Sequence, residues 1–154
     1  MMPTDKLIAD NLAAAPTLAI LVRAIEAAGM TATLRATGPF TVFAPTDAAF
    51  GRLQPGTVEA LMKPENRASL TRLIGLHVVA ERLTGVDLMQ RIAAGGGKAT
   101  LITVAGEPLA VTMTGGIVTL TDAGGNKSYI EVADVRETNG VIHVVNGVLV
   151  PRLN

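Results

Sequence analysis

The sequence has 154 residues, 49% of them hydrophobic, and its 13 Lys and Arg residues balance 13 Asp and Glu residues. A chain of this length can bury a core without cross-links, so we expect one domain, 1–154, and its neutral charge disfavours binding to nucleic acid or an anionic membrane. The absence of cysteine excludes disulfides and thiolate chemistry, and no apolar run reaches the ~18 residues expected of a membrane span.

The first half of the chain is predicted to be helical. Leu18, Leu21 and Ile25 recur at helical spacing, with Thr17 as the predicted N-cap and Gly29 as the predicted C-terminal stop. Further apolar residues predict a short helix around Leu34, one helix through Val58, Leu61 and Met62, and one through Leu70, Leu73 and Ile74 that stops at Gly75.

A capping box begins the next predicted helix. Thr84 and Asp87 are three residues apart, so each side chain can accept from a free backbone N–H of the first turn. Val86, Met89 and Ile92 give this helix its apolar residues, and a run of glycines ends it.

After Lys98 the hydrophobic period changes to two, which predicts strands. Gly115-Gly116, Asn139-Gly140 and Asn146-Gly147 predict hairpin turns, because type I′ turns need positive φ at both central residues. The segment 141–145 is apolar on both faces and is predicted to be a doubly buried strand, whereas a short strand is expected around Tyr129. Helices followed by strands predict an α+β fold.

The stretch TVFAPTDAAF, residues 41–50, passes from a predicted strand to a predicted helix. Thr46 and Asp47 could form a catalytic dyad here, or could cap the helix and interact favourably with its dipole. All three phenylalanines lie in or beside this stretch, with Phe40 and Phe43 on opposite faces of the strand and Phe50 on the helix. We therefore interpret the stretch as architectural.

Few residues offer catalytic chemistry. The glycine run before Lys98 lacks the first Gly and the following Ser or Thr of a phosphate-binding loop, and no G-x-S-x-G motif occurs. His77 and His143 could act as an acid–base pair, or each could be a buried imidazole that is satisfied by hydrogen bonds. We expect the second, and we expect no metal, no cofactor and no enzymatic activity.

Three segments resemble the fasciclin (FAS1) domain family. Residues 41–50 resemble its first signature block, and residues 139–151 (NGVIHVVNGVLVP) resemble its second block. Residues 76–79 (LHVV) resemble its central Tyr-His segment. The residues that match the family's structural motif are Phe43, Pro45, Thr46, Asp47, Phe50, His143 and Gly147.

The resemblance implies a wedge-shaped β-sandwich with several helices packed beside it, and a role in cell adhesion. In animal members, an Asp-Ile pair and the Tyr-His pair are linked to integrin binding. These pairs correspond to Asp134-Val135 and Leu76-His77 here, which are the predicted partner-binding residues. Both pairs have changed, since Val replaces Ile and Leu replaces Tyr, and the second change removes a phenol that could hydrogen-bond.

The expected function is a non-catalytic adhesion or cell-surface attachment module. Its expected partner is a protein or glycan on a cell surface or in the matrix, and its expected location is extracellular or periplasmic, with any signal peptide absent from the chain. The Ala-rich, cysteine-free composition suggests a bacterial member. The alternative is an envelope protein that binds a small ligand or polysaccharide, although sugar sites usually use aromatic side chains and only 3% of residues are aromatic.

Overall fold

The structure is a computed structural model that describes residues 8–53, 55–137 and 139–149, without the side chains of Ala9, Asp134, Arg136 and Glu137. Its α-helices are α1 (Ile8–Ala14), α2 (Ala19–Ala28), α3 (Thr31–Leu34), α4 (Asp47–Phe50), α5 (Thr57–Leu61), α6 (Arg67–Leu76) and α7 (Gly85–Ala94). Its strands are β1 (Phe40–Pro45), β2 (Val78–Val79), β3 (Lys98–Ile102), β4 (Pro108–Thr114), β5 (Ile117–Thr121), β6 (Lys127–Glu137) and β7 (Gly140–Val145).

The strands form one sheet in the order β2-β1-β7-β6-β5-β4-β3. All neighbours are antiparallel except β1 and β7, which run parallel. Strand β7 is buried along its whole length between β1 and β6, as its apolar sequence predicts. The α+β class is therefore confirmed. The β-sandwich with helices beside it is also confirmed, because residues of β1 and β7 and residues of β3–β5 bury against one another in a shared core.

The sheet separates two hydrophobic cores. Val42 and Ala44 of β1 face the first core, which includes buried residues of α1, α2 and α6. Phe43 points the other way, into a second core between β1, β7, the β3–β5 strands and α7. The alternation of side chains along a strand therefore lets β1 join both cores, with Phe50 in the first core opposite Phe43.

The helical predictions hold in position but differ at their ends. Gly29 ends α2 in the left-handed conformation, with φ of 72°, as predicted. The prediction that Thr17 caps this helix is wrong, because a 3₁₀ turn precedes α2 and Leu18 occupies the cap position without a side-chain bond. The prediction that α6 stops at Gly75 is wrong, because the helix continues to Leu76. The missing side chain of Gly75 instead lets the backbone of Ala105 pack beside the helix.

The capping box of α7 is confirmed in full. The Thr84 hydroxyl accepts from the Asp87 backbone N–H at 3.2 Å, and the Asp87 carboxylate accepts from the Thr84 N–H at 3.0 Å. The predicted apolar face is only partly right. Leu88 and Ile92 are buried on the sheet, whereas Val86 and Met89 are exposed.

Two of the three predicted hairpins are observed. Gly115-Gly116 joins β4 to β5 with positive φ at both residues. A hairpin also joins β6 to β7, but Gly140 is the first residue of β7 and pairs with Glu137, so Asn139-Gly140 is not the centre of the turn as predicted. The hairpin predicted at Asn146-Gly147 is wrong, because the described chain forms no strand after β7. Asn146 instead bonds to β6, with its side-chain oxygen accepting from the Tyr129 N–H.

Candidate functional site

The strands of the two signature blocks, β1 and β7, are neighbours in the sheet. Phe43, Ala44 and Pro45 of β1 pair in parallel register with His143, Val144 and Val145 of β7. The rings of Phe43 and His143 stack at a centroid distance of 5.6 Å and an interplanar angle of 20°. The parallel pairing of β1 with β7 therefore packs together two blocks that lie about a hundred residues apart in the sequence.

His143 and Thr41 hold the loop that leads into α7. The Nε2–H of His143 donates to the Leu83 carbonyl at 2.7 Å, since a carbonyl oxygen can only accept. The buried Thr41 hydroxyl accepts from the Leu83 N–H at 2.8 Å and donates to the Glu81 carbonyl at 2.6 Å. Both backbone groups of Leu83 are therefore bonded by side chains from β1 and β7.

His77 bonds helix α6 to the end of the described chain. Its Nδ1 lies 2.8 Å from the Leu73 carbonyl oxygen, and its Nε2 lies 3.0 Å from the Leu149 backbone N–H. Nδ1 must therefore carry the proton while Nε2 accepts, which requires a neutral imidazole. Burial lowers the pKa of His77 to about 4, although the hydrogen bond to Leu73 acts in the opposite direction.

Leu76 and His77, the first predicted partner-binding pair, are both 1% exposed. A partner in solution cannot touch these side chains while the domain is folded. Leu76 packs in the second core, and the ring of His77 has both nitrogens bonded within the chain. The geometry gives both residues a structural role.

Thr46 and Asp47 cap two different helices. The Thr46 hydroxyl accepts from the Ala49 N–H at 3.2 Å and caps α4. The Asp47 carboxylate accepts from the Ile20 N–H at 2.8 Å, which is the second residue of α2. Asp47 therefore provides, from another part of the chain, the side-chain cap that α2 lacks locally.

Replacing Asp47 with alanine is expected to lower the free energy of unfolding by about 1 kcal/mol, the usual effect of losing a cap. The Ile20 N–H loses its acceptor, and the negative charge near the start of α2 disappears. Urea denaturation measures this change. Asp47→Asn keeps a hydrogen-bond acceptor and should be destabilised less than Asp47→Ala. Equal stability of wild type and both variants would contradict the assignment of Asp47 as the cap of α2.

Gly147 allows the chain after β7 to pack against β6. A Cβ atom at Gly147 would lie 2.9 Å from the Lys127 carbonyl oxygen, closer than side chains tolerate. The Ser128 hydroxyl donates to the Gly147 carbonyl at 2.8 Å and accepts from the Gly147 N–H at 3.1 Å. The role of Gly147 is therefore close approach rather than the positive φ of a hairpin.

Strand β6 contains the second predicted partner-binding pair and is longer than expected, with 11 residues. Val135 is partly buried against the first core, and the side chain of Asp134 lies outside the described residues. Strand β5 pairs with β6 only at Lys127, Ser128 and Tyr129. Beyond Tyr129, no described strand pairs with the side of β6 that would face β5.

This half-paired part of β6, residues 130–137, is called the open edge below. Its register against β7 shifts between Ile130 and Val132, and again between Val132 and Val135, which are the irregularities of β-bulges. Glu131, Val132 and Ala133 are exposed, and Val132 is 51% exposed. Sequence reasoning missed this edge because only strand pairing shows where β5 stops.

A groove of about 530 Å³ runs beside the open edge. Val132 and Val144 contribute apolar side chains to its lining, and Pro16, Thr46 and Asp47 line it as well. The two helix caps of the first signature block therefore also form one wall of an exposed groove.

The described residues contain no arrangement typical of a metal centre. Across residues 8–53, 55–137 and 139–149, no three His, Asp or Glu side chains converge as metal ligands would. Both histidines bond to backbone groups inside the fold. None of the helices in this part of the chain has the length and apolar character that a membrane crossing requires.

Comparison with known proteins identifies the family. The family model for the Fasciclin domain matches residues 16–151, so the chain belongs to this family. A solved structure of a FAS1 domain pair from the insect cell adhesion molecule fasciclin I superposes with a TM-score of 0.82 at 20% identity, covering 98% of this chain and 52% of that one. The fold is therefore the FAS1 fold.

Several relatives come from very different organisms. Protein sll1483 of Synechocystis sp. is 39% identical over 88% of this chain and 68% of its own length. Uncharacterized protein sll1735 of the same organism is 36% identical over 84% of this chain and 86% of its own. The transforming growth factor-beta-induced protein ig-h3 of Sus scrofa is 35% identical over 88% of this chain but only 18% of its own length.

Proposed function

We propose that this protein is a non-catalytic adhesion module that attaches to a protein on a cell surface or in the matrix, and that it works in an extracellular or periplasmic location. The family includes a domain pair from an insect cell adhesion molecule. The observation that carries the proposal is the open edge of β6, where a strand side without a described strand partner and the exposed apolar side chain of Val132 occur together.

An open strand edge suits a protein partner. Backbone N–H and C=O groups that no neighbouring strand bonds can pair with an extended segment of another chain, and side-chain pockets beside the edge can give specificity. Val132 and the adjacent groove supply an apolar anchor point. Asp134 and Val135 continue the same strand, so a partner bound along this edge would also meet the pair that corresponds to the family's Asp-Ile motif.

Three observations support protein binding over catalysis or glycan binding. His77 and His143, the candidates for acid–base chemistry, use ring nitrogens in buried structural bonds. Thr46 and Asp47 act as helix caps. Phe43 and Phe50 are buried, so neither offers the aromatic platform on which sugars usually stack.

Val132→Arg is expected to reduce attachment at least tenfold. Beads coated with the purified domain would be counted on cells of the organism that produces it, with excess soluble domain as competitor. The matched control is Ile117→Arg, which places the same charge at a similarly exposed apolar residue, 48% exposed, on β5. A charge at the open edge should disfavour pairing with another strand and removes the apolar anchor of the groove, whereas the control should attach like wild type.

Two results would count against the proposal. If wild-type beads bind no more than beads coated with an unrelated neutral protein, the adhesion role is wrong. If both arginine variants attach equally well, adhesion is retained but the open edge is not its binding surface.

A further inference from the structure

A second groove lies on the helical side of the molecule, between α2, the end of α4 and α5. It has a volume of about 450 Å³, within the ~300–1,000 Å³ range of small-ligand pockets. Phe50 is buried at this site, and Ile20, Leu53, Val58 and Met62 are half-buried around it. The groove shares no lining residue with the one beside β6.

Two opposite charges border this apolar surface. Arg23 lies on α2, one helical turn after Ile20, and Glu59 lies on α5, next to Val58. Both side chains are exposed. Within the described part of the chain, neither makes an ion pair or side-chain hydrogen bond, so both can bind a ligand without breaking an existing contact.

The pattern of charges defines the chemistry of the ligand. The apolar surface favours a hydrocarbon body, which is the dominant source of affinity in such pockets. A guanidinium binds a carboxylate through paired hydrogen bonds, and a carboxylate on the opposite helix favours an ammonium group. A ligand that carries both a carboxylate and an ammonium group can bind both side chains, whereas a ligand with one charge can bind only one of them.

We propose that this groove binds a short apolar peptide with free ends, whose carboxylate contacts Arg23 and whose ammonium group contacts Glu59. The side chains of the peptide lie against the half-buried Ile20, Leu53 and Met62. This site is independent of the adhesion role and requires no change in the fold, because the groove is already formed.

Isothermal titration calorimetry with dileucine tests the proposal directly. The same peptide would be measured with both ends free, with the amino end acetylated, with the carboxyl end amidated, and with both ends blocked. We expect the free peptide to bind at least tenfold more tightly than the doubly blocked form. Arg23→Gln should weaken the binding only of peptides with a free carboxylate, and Glu59→Gln should weaken the binding only of peptides with a free amino group.

Lys63→Gln and Glu65→Gln are the matched controls, since both residues are exposed and neither lines the groove. They should bind the free peptide like wild type. The proposal is overturned if no form of the peptide binds, if the doubly blocked form binds as well as the free one, or if the control variants weaken binding as much as Arg23→Gln. Cell attachment should be unchanged in all four variants, which separates this test from that of the open edge.

Discussion

Asn139→Ala is expected to lower the free energy of unfolding by about 3–5 kcal/mol, because each buried polar group left without a partner costs ~1–3 kcal/mol. The Asn139 side-chain oxygen accepts from the Ile8 N–H at 3.0 Å. Its amide nitrogen donates to the carbonyls of Leu34 and Ala36 at 2.9 and 2.8 Å. One buried side chain therefore joins α1 and the end of α3 to the β6–β7 turn.

Urea denaturation of wild type and two variants would measure this effect. Asn126→Ala is the control, since Asn126 is an exposed asparagine in the turn before β6 and its loss should change stability by less than ~1 kcal/mol. Asn139→Asp keeps an acceptor for Ile8 but cannot donate to the two carbonyls, so it should also be strongly destabilised. Equal midpoints for Asn139→Ala and wild type would show that these bonds do not stabilise the fold.

His77 is expected to make the protein lose stability as the pH falls below neutral. Its pKa is about 4 in the folded protein against 6.5 for an ordinary histidine. Between these values the unfolded chain binds a proton that the folded chain does not, so unfolding becomes more favourable as the pH decreases. The stabilising contribution of the neutral imidazole is fully present above pH ~6.5. Near pH 4 the free energy of unfolding is lower by about 3 kcal/mol through this group.

The difference in free energy of unfolding between wild type and His77→Gln isolates this effect, because both proteins share the titration of the carboxylates. At pH 7.5 the variant should be less stable by about 1–3 kcal/mol, because the Leu73 carbonyl and the Leu149 N–H lose well-placed partners. As the pH falls to 4, this difference should shrink, since only wild type loses stability through the imidazole. A constant difference from pH 7.5 to pH 4 would contradict a buried, neutral His77.

Local signals in the sequence located the elements well. The capping box at Thr84 and Asp87 depends on residues three positions apart, and both of its hydrogen bonds are present. The Gly115-Gly116 turn depends only on backbone freedom and joins β4 to β5 as predicted. The apolar run 141–145 correctly predicted a strand that is buried on both faces.

The errors occur where a residue acts over a long distance. Asp47 lies in the first turn of α4, as expected, but its second role as the cap of α2, 27 residues earlier in the chain, does not follow from the sequence pattern. Asn146 was expected to form a turn, but its side chain binds the backbone of β6. Such partners cannot be derived from the sequence alone, because they depend on the tertiary arrangement of the strands.

The candidate site was predictable only in part for the same reason. The partner-binding residues predicted from the sequence are Leu76, His77, Asp134 and Val135. The fold buries the first two, while Val135 lies on a strand whose other side pairs with no described strand beyond Tyr129. Whether a strand edge is open depends on the length of its neighbour, and the sequence of β6 carries no signal of where β5 ends.

The most direct test of the proposed adhesion surface compares two soluble competitors in the bead attachment assay at pH 7.5. His77→Gln, shown to be folded by circular dichroism, should compete with wild-type beads as well as the wild-type domain does, because His77 is buried and structural. Val132→Arg should compete at least tenfold less well, because it alters the open edge. Full competition by Val132→Arg together with lost competition by folded His77→Gln would contradict the account and return the binding surface to the Leu76-His77 segment.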